Sequence, residues 1–251
     1  MGAALITGSS RGIGRACAEL FARRGLDVVV HYRRDAEAAR AVVAAVEAHG
    51  RRAVAVRAEL ADADEVAGLA DAAIEAFGTL DVVVANAAAS AFKPLTELRS
   101  HHIGATLDTI VASFLHLVRE TQPALRAPGG RIVTVSGFDT VRVLENHGLL
   151  AAAKAALEQL TRYLAVELAP RAVTVNCVVP GYVDTDSARI YAESTFPGGW
   201  EAARAEWAAR TPLGRIAAAE EIAAVVGLLC SEDAAWITGQ VIVADGGLTL
   251  P

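Results

Sequence analysis

The chain has 251 residues, 53% of them hydrophobic, and a formal net charge of −6. That length can bury one sizeable core, and α/β chains of this size commonly form a single domain. No basic cluster points to nucleic acid, no apolar run approaches the roughly 20 residues that span a bilayer, and a mildly acidic surface mainly aids solubility.

The N-terminus, Met1-Gly2-Ala3-Ala4-Leu5, lacks a basic segment followed by an apolar stretch, so no signal peptide is expected. Apolar strand-like runs follow at Ala3–Thr7, Asp27–Tyr32, Ala53–Arg57, Asp81–Ala85, Arg131–Ser136, Val173–Val178 and Gln240–Val243. Most are too continuous for half-exposed strands, so burial on both faces is expected. Helix-like segments lie between them at Gly14–Arg24, Asp35–His49, Ala63–Phe77, near Arg99–Leu125, near Leu149–Leu168 and at Glu220–Cys230. Alternating strands and helices predict one Rossmann-type α/β domain over residues 1–251, a doubly wound parallel sheet with helices on both faces. The stretch Asp184–Leu213 stands apart, with Pro197-Gly198-Gly199, Trp200 and Trp207. It is expected to be a lid over a site, with the two tryptophans on one face, covering an apolar substrate or packing on the core. Cys17, Cys177 and Cys230 are widely spaced and odd in number, which suits buried reduced thiols in a cytoplasmic protein. The histidines and cysteines show no metal-ligand spacing.

The first strand is followed by Thr7-Gly8-Ser9-Ser10-Arg11-Gly12-Ile13-Gly14. The glycines permit a tight turn and a close backbone approach to a pyrophosphate, and the next helix offers it free N–H groups and a positive dipole end. A glycine cluster between a predicted strand and helix, at the start of an alternating chain, is the context that gives this motif meaning. The second strand ends His31-Tyr32-Arg33-Arg34, with no carboxylate for ribose hydroxyls. Arg33, Arg34 and Arg11 suit a 2′-phosphate instead, which favours NADP(H) over NAD(H).

The spacing Thr-Gly-x-x-x-Gly-Ile-Gly resembles the short-chain dehydrogenase/reductase family, along the whole chain. Asn86 after the fourth strand, Pro180-Gly181-Tyr182-Val183-Asp184-Thr185 and Asp245-Gly246-Gly247 match family segments. The resemblance implies that Val183 and Thr185 hold the nicotinamide carboxamide, and that Glu59 stands where relatives place an aspartate near the adenine. It also implies a homotetramer or homodimer through the long helix and the lysine-bearing helix. Leu115, Val118, Leu157, Leu160 and Leu164 are candidates for that surface, or for internal core.

Family chemistry uses a tyrosine as general acid, a lysine four residues later, a serine on the fifth strand and an asparagine in the long helix. Lys154 fits the lysine, but Leu150 occupies the tyrosine position, Gly137 the serine position, and the asparagine falls near Ile110. Ser136 adjoins Gly137 but should face the other way. The segments Leu144-Glu145-Asn146-His147 and Ala155–Leu168 look like the type III enoyl-acyl-carrier-protein reductases, as do Asn86–Ser90 and Arg210–Arg215. There the acid lies seven residues before the lysine, which here is His147. Residues seven apart share a helix face. Histidine beside Lys⁺ favours its neutral form, which can donate one hydrogen bond to a carbonyl or act as a base.

Tyr182 is a further candidate acid, and His101, His102, His116 and Lys93 are weaker ones. Three readings stay open. One is an NADP(H)-dependent reductase of an enoyl or keto thioester or a polyketide-like carbonyl compound, with a non-standard proton donor. Its substrate would be a small molecule or an acyl group on a carrier protein. The second is a non-redox isomerase, dehydratase or cyclase, and the third an inactive cofactor-binding protein. No nucleic-acid, membrane or metal partner is expected.

Overall fold

A computed structural model describes residues 2–250, except for the side chain of Ser194. Its strands are β1 (Ala3–Ile6), β2 (Asp27–Tyr32), β3 (Ala53–Arg57), β4 (Val82–Ala85), β5 (Arg131–Val135), β6 (Thr174–Pro180), β7 (Val183–Asp184), β8 (Ala217–Ala218) and β9 (Val241–Ala244). Its α-helices are α1 (Gly12–Arg23), α2 (Ala36–Glu47), α3 (Ala63–Phe77), α4 (Ser100–Leu107), α5 (Ser113–Thr121), α6 (Gly148–Leu168), α7 (Asp186–Thr195), α8 (Gly199–Arg210) and α9 (Ala219–Leu229). Seven strands form one parallel sheet in the order β3-β2-β1-β4-β5-β6-β9. The order reverses between β1 and β4, and a crevice at their carboxyl ends is where doubly wound sheets hold ligands.

Side chains alternate across this sheet. Leu5, Val29, Val83, Ile132 and Val175 pack with Leu69, Phe114 and Leu157 on one face. Ile6, Val28, Val30, Val84 and Val133 pack with Phe21, Val42 and Ile222 on the other. Burial on both faces explains why the strands read as unbroken apolar runs.

Most element boundaries, α1 included, agree with the sequence pattern to within one or two residues, and two regions differ. Helix α1 starts at Gly12, inside the glycine turn, two residues before the expected start. The long helix is broken into α4 and α5 by a widened turn at Asp108–Ala112. That turn carries Ile110 into the core, 2% exposed. The stretch 184–213 forms α7 and α8, which pack on each other, with α7 also against β7 of a small β7–β8 pair. Trp200 and Trp207 pack together with Ala203 and Ile216, so both serve that subdomain's own core rather than an open face. The interface candidates also divide. Val118, Leu157 and Leu164 are buried core, whereas Leu115 is 42% exposed. On α6 it is Tyr163 and Val166 that face outward, 63% and 75% exposed.

The turn after β1 is held from three strand ends. Gly8 and Gly12 lie at φ +66° and +55°, a region that L side chains avoid. At Gly14 the constraint is space, since a Cβ there would stand 2.4 Å from the Gly8 carbonyl oxygen. Asn86, past β4, donates from Nδ2 to the carbonyls of Thr7 and Gly8 at 3.0 and 3.3 Å. The Ser9 hydroxyl donates to Ile6 O at 2.8 Å and accepts from the His31 N–H at 3.0 Å. His31 completes the lock. Its Nδ1 accepts from the Gly8 N–H at 2.8 Å, so the other ring nitrogen carries the proton toward Ala58 O, 3.1 Å away. Burial drives the ring toward this neutral form and lowers its pKa from the ordinary 6.5.

Two predictions follow from that turn. Gly14→Ala forces the Gly8 carbonyl aside and should cost about 1–3 kcal/mol, as overpacking does; thermal unfolding measures it. His31 takes a proton more readily unfolded than folded, so its contribution falls away as pH drops below the ordinary 6.5. His31→Leu leaves Gly8 N–H and Ala58 O unpaired, each worth roughly 1–3 kcal/mol. The variant should unfold at lower temperature at pH 7.5, and its gap to the native protein should narrow toward pH 5.

Candidate active site

A cleft of about 610 Å³ opens over the carboxyl ends of β1 and β4. One end is lined by Arg11, Arg33, Arg34 and Glu59, and the middle by Gly8, Ser10, Gly12, Ile13 and Asn86. The far end is lined by Phe92, Thr109, Leu150, Thr185 and Tyr191. The structure thus brings the glycine turn, the arginine pair and Thr185 to one cavity.

No side chain caps the start of α1, which leaves its first-turn N–H groups to an anion. Two of the three guanidiniums come from the end of β2; Arg33 is 3.7 Å from Glu59, a loose surface pair. Thr185 caps α7 by accepting from the Ala188 N–H at 3.2 Å, and so fixes its own position at the cleft wall. Pro180 ends β6, and Gly181 lies so close to Asp245 that a Cβ would stand 2.9 Å from the Asp245 Cα. Val183 pairs with Ala217 in the β7–β8 ribbon.

Helix α6 brings the catalytic candidates beside this cleft. Lys154 is buried, its Nζ donating to Val135 O at 2.6 Å, and desolvation lowers its pKa to about 8. Leu150 contributes only an aliphatic wall. The Ser136 hydroxyl turns toward α6, like Thr134 two residues earlier, and donates to Glu158 Oε1 at 2.7 Å. It is committed there. His147 immediately precedes α6, and its ring meets Phe92 at 4.7 Å and Tyr191 at 5.2 Å. Its Nδ1 is 2.8 Å from Glu145 O. A carbonyl only accepts, so Nδ1 carries the proton in that bond, and the neutral ring presents Nε2 as a lone pair. Neutral His147 therefore has no second N–H for a substrate oxygen.

Tyr182 does not line the cleft. Its ring stacks on Trp207 at 4.7 Å and meets Phe138 edge-on, and burial raises its pKa. His101 and His102 contact each other at the start of α4, and Lys93 is exposed beside Phe92. Among the described residues no cluster of His, Cys, Asp or Glu suits a metal ion, and no helix is long and apolar enough to cross a membrane. The three cysteines are free; burial pushes all three thiols up, so they stay protonated.

Three site residues escaped the sequence pattern. Phe92 and Tyr191 come from distant segments and meet only in the fold. Asp139 sits in the short turn after β5, at the carboxyl end of a central strand. Its carboxyl feels His147, Lys154 and Glu158, and desolvation, the largest influence, raises its pKa. An acid just beyond β5 was the available signal.

Known proteins match this arrangement along its length. A family model described as Enoyl-(Acyl carrier protein) reductase matches residues 7–249. The chain is 38% identical over 246 residues to the 1-cyclohexenylcarbonyl-CoA reductase of Streptomyces collinus, covering 98% of this chain and 86% of that one. A short chain dehydrogenase from Burkholderia cenocepacia, solved in complex with NADP, superposes with a TM-score of 0.89 at 38% identity, covering 98% and 97% of the two chains. The angucycline C-6 ketoreductase LanV, with bound NADP, gives 0.90 at 33% identity, covering 100% and 96%. The chain belongs to the short-chain dehydrogenase/reductase family.

Proposed function

We propose that this protein is an NADPH-dependent reductase of an enoyl or keto acyl thioester, or of a related polyketide-like carbonyl compound. The observation that carries this reading is the cleft running from three guanidiniums to Leu150 and Tyr191. The names of the Streptomyces relative and of LanV favour the same chemistry, on a cyclic enoyl thioester and on a polycyclic ketone. The acyl group would ride on coenzyme A or on a carrier protein, and the protein would work as a homotetramer or homodimer.

The residues present fit the cofactor. Ser10, Arg11, Gly12 and Ile13 would hold the pyrophosphate, with Gly8 and Gly14 giving the close approach; Ser9, expected to join them, is buried with its hydroxyl and N–H committed to Ile6 O and His31, and shapes the turn instead. Arg11, Arg33 and Arg34 would hold the 2′-phosphate, Glu59 would border the adenine, and Asn86 would support the channel. Pro180 and Gly181 would shape the nicotinamide wall, with Val183 and Thr185 holding its carboxamide. Bound NADPH supplies a hydride. Lys154 would bind the ribose and keep positive charge below the reacting oxygen, where negative charge develops. Phe92, His147 and Tyr191 would roof an apolar acyl group and exclude water.

A non-redox isomerase, dehydratase or cyclase has one specific support: the Nε2 lone pair of His147 is a base. The assay that separates the two mixes protein, NADPH and cyclohex-1-enecarbonyl-CoA or crotonyl-CoA, and follows nicotinamide absorbance. Absorbance falling in step with product supports reduction; conversion without it supports the second reading.

Two variants sharpen the cofactor assignment. Arg33→Ala/Arg34→Ala should weaken NADPH binding roughly 10- to 100-fold, the worth of one or two charge-assisted bonds. NADH binding should barely change, and fluorescence titration of both cofactors measures the contrast. Lys154 favours anionic cofactor only as its ammonium form, which exists below about pH 8 and is lost above it. NADPH affinity should therefore decline as pH rises through that range, and Lys154→Ala should bind more weakly without this decline.

A further inference from the structure

The positions at which the family resemblance or the sequence placed an acid are all unsuited to donate a proton here. Leu150 cannot ionise, Ser136 is bound to Glu158, Tyr182 lies off the cleft, and the N–H of neutral His147 is taken by Glu145 O. Asp139 fills the gap. Gly137 has an extended backbone, φ −161°, and a Cβ built there would stand 2.5 Å from Asp139 Oδ1. The carboxyl group thus occupies the space above Gly137, where a side chain at that position would project. Oδ2 is enclosed by protein and has no hydrogen-bond partner. An enclosed, unpartnered oxygen is costly as half of an anion and much less so as the C=O of a neutral acid.

We propose that Asp139 is the catalytic acid of this site, hydrogen-bonding the substrate's carbonyl oxygen through Oδ1 and donating its proton there. The proposal rests on the reductase reading. For a ketone, the two-electron hydride from NADPH forms a C–H bond at the carbonyl carbon, the C=O π pair moves to oxygen, and Asp139 supplies the proton that makes the alcohol. For an enoyl thioester, hydride reaches the β-carbon, Asp139 protonates the enolate oxygen, and the enol then ketonises with solvent. In both, Asp139 is left as a carboxylate facing Lys154, and solvent returns its proton past the half-exposed His147. The titratable groups facing Asp139 are His147 from the segment before α6, and Lys154 and Glu158 from α6. Cys177 on β6, beside Lys154 and Glu158, stays a neutral thiol through burial.

Burial raises the Asp139 pKa above the ordinary carboxylate value. The protonated form is the useful one, so kcat should hold at low pH and fall as pH rises through that raised value. Asp139→Asn keeps the shape but cannot donate a proton; kcat should drop roughly 10²- to 10⁴-fold, the usual worth of a general acid. Its NADPH affinity should change less than about threefold, far below the roughly tenfold worth of 1.4 kcal/mol. The decisive variant is Gly137→Ser/Asp139→Ala. The 137 backbone admits any residue, and removing the carboxyl clears its only clash, so the new hydroxyl should restore at least about tenfold of the activity lost in Asp139→Ala. Its pH profile should lack the fall assigned to Asp139.

A readout independent of turnover is the infrared C=O band of a protonated carboxylic acid, identified by its loss in Asp139→Asn. The band should be present at the pH of full activity. Its absence there, or an Asp139→Asn enzyme with native kcat, would overturn the proposal while leaving the reductase reading intact. A native enzyme that binds NADPH yet reduces neither thioester nor ketone would overturn both.

Discussion

The approach of Gly14 to the Gly8 carbonyl is the constraint on which the rest depends. A side chain at either position would open the turn, and α1 would no longer start close against the end of β1. Asn86 and His31 hold that turn from β4 and β2, so three strand ends keep one register at the crevice. The floor of the cleft is therefore backbone and buried amide, rigid before any ligand arrives. Such preorganisation lets binding energy go into contacts rather than into ordering a loop.

The other half of the cleft is built differently. Its wall is aliphatic at Leu150 and aromatic at Phe92 and Tyr191, with the His147 ring against both aromatics, Lys154 further along α6 and Asp139 in the turn after β5. A low-polarity roof over a cation and a carboxyl suits a reaction in which an oxygen gains negative charge. It also strengthens the field of Lys154, since water is the main screen between them. An active site need not keep its acid at one sequence position. What matters is where the oxygen atom sits, and the missing Cβ of Gly137 leaves room for a carboxyl to reach in from two residues away.

The parallel sheet and the phosphate turn were legible because their causes are local. Glycines were required by backbone angle and by space, and unbroken Val and Ile runs follow from burial on both faces. Arg33 and Arg34 were legible because the end of β2 must face the crevice. What could not be read depended on tertiary choice. Val118, Leu157 and Leu164 turn inward while Tyr163 and Val166 on α6 turn out, a division fixed by neighbouring layers rather than by apolar content. For Trp200 and Trp207 the sequence left two roles open, covering a substrate or packing on a core, and only the fold decides for the second. Asp139 stood in plain view in Ser136-Gly137-Phe138-Asp139; only the short turn after β5 reveals that its carboxyl returns over Gly137.

The central claim is hydride transfer to a carbonyl-activated substrate at this cleft. It is tested most directly with NADPH deuterated at C4, on the transferred face and then on the other, with cyclohex-1-enecarbonyl-CoA and the product read by mass. The account predicts a product carrying one deuterium from one of the two labelled cofactors and none from the other. Product formed without label from either would contradict it, and would assign the chemistry of this site to proton transfer alone.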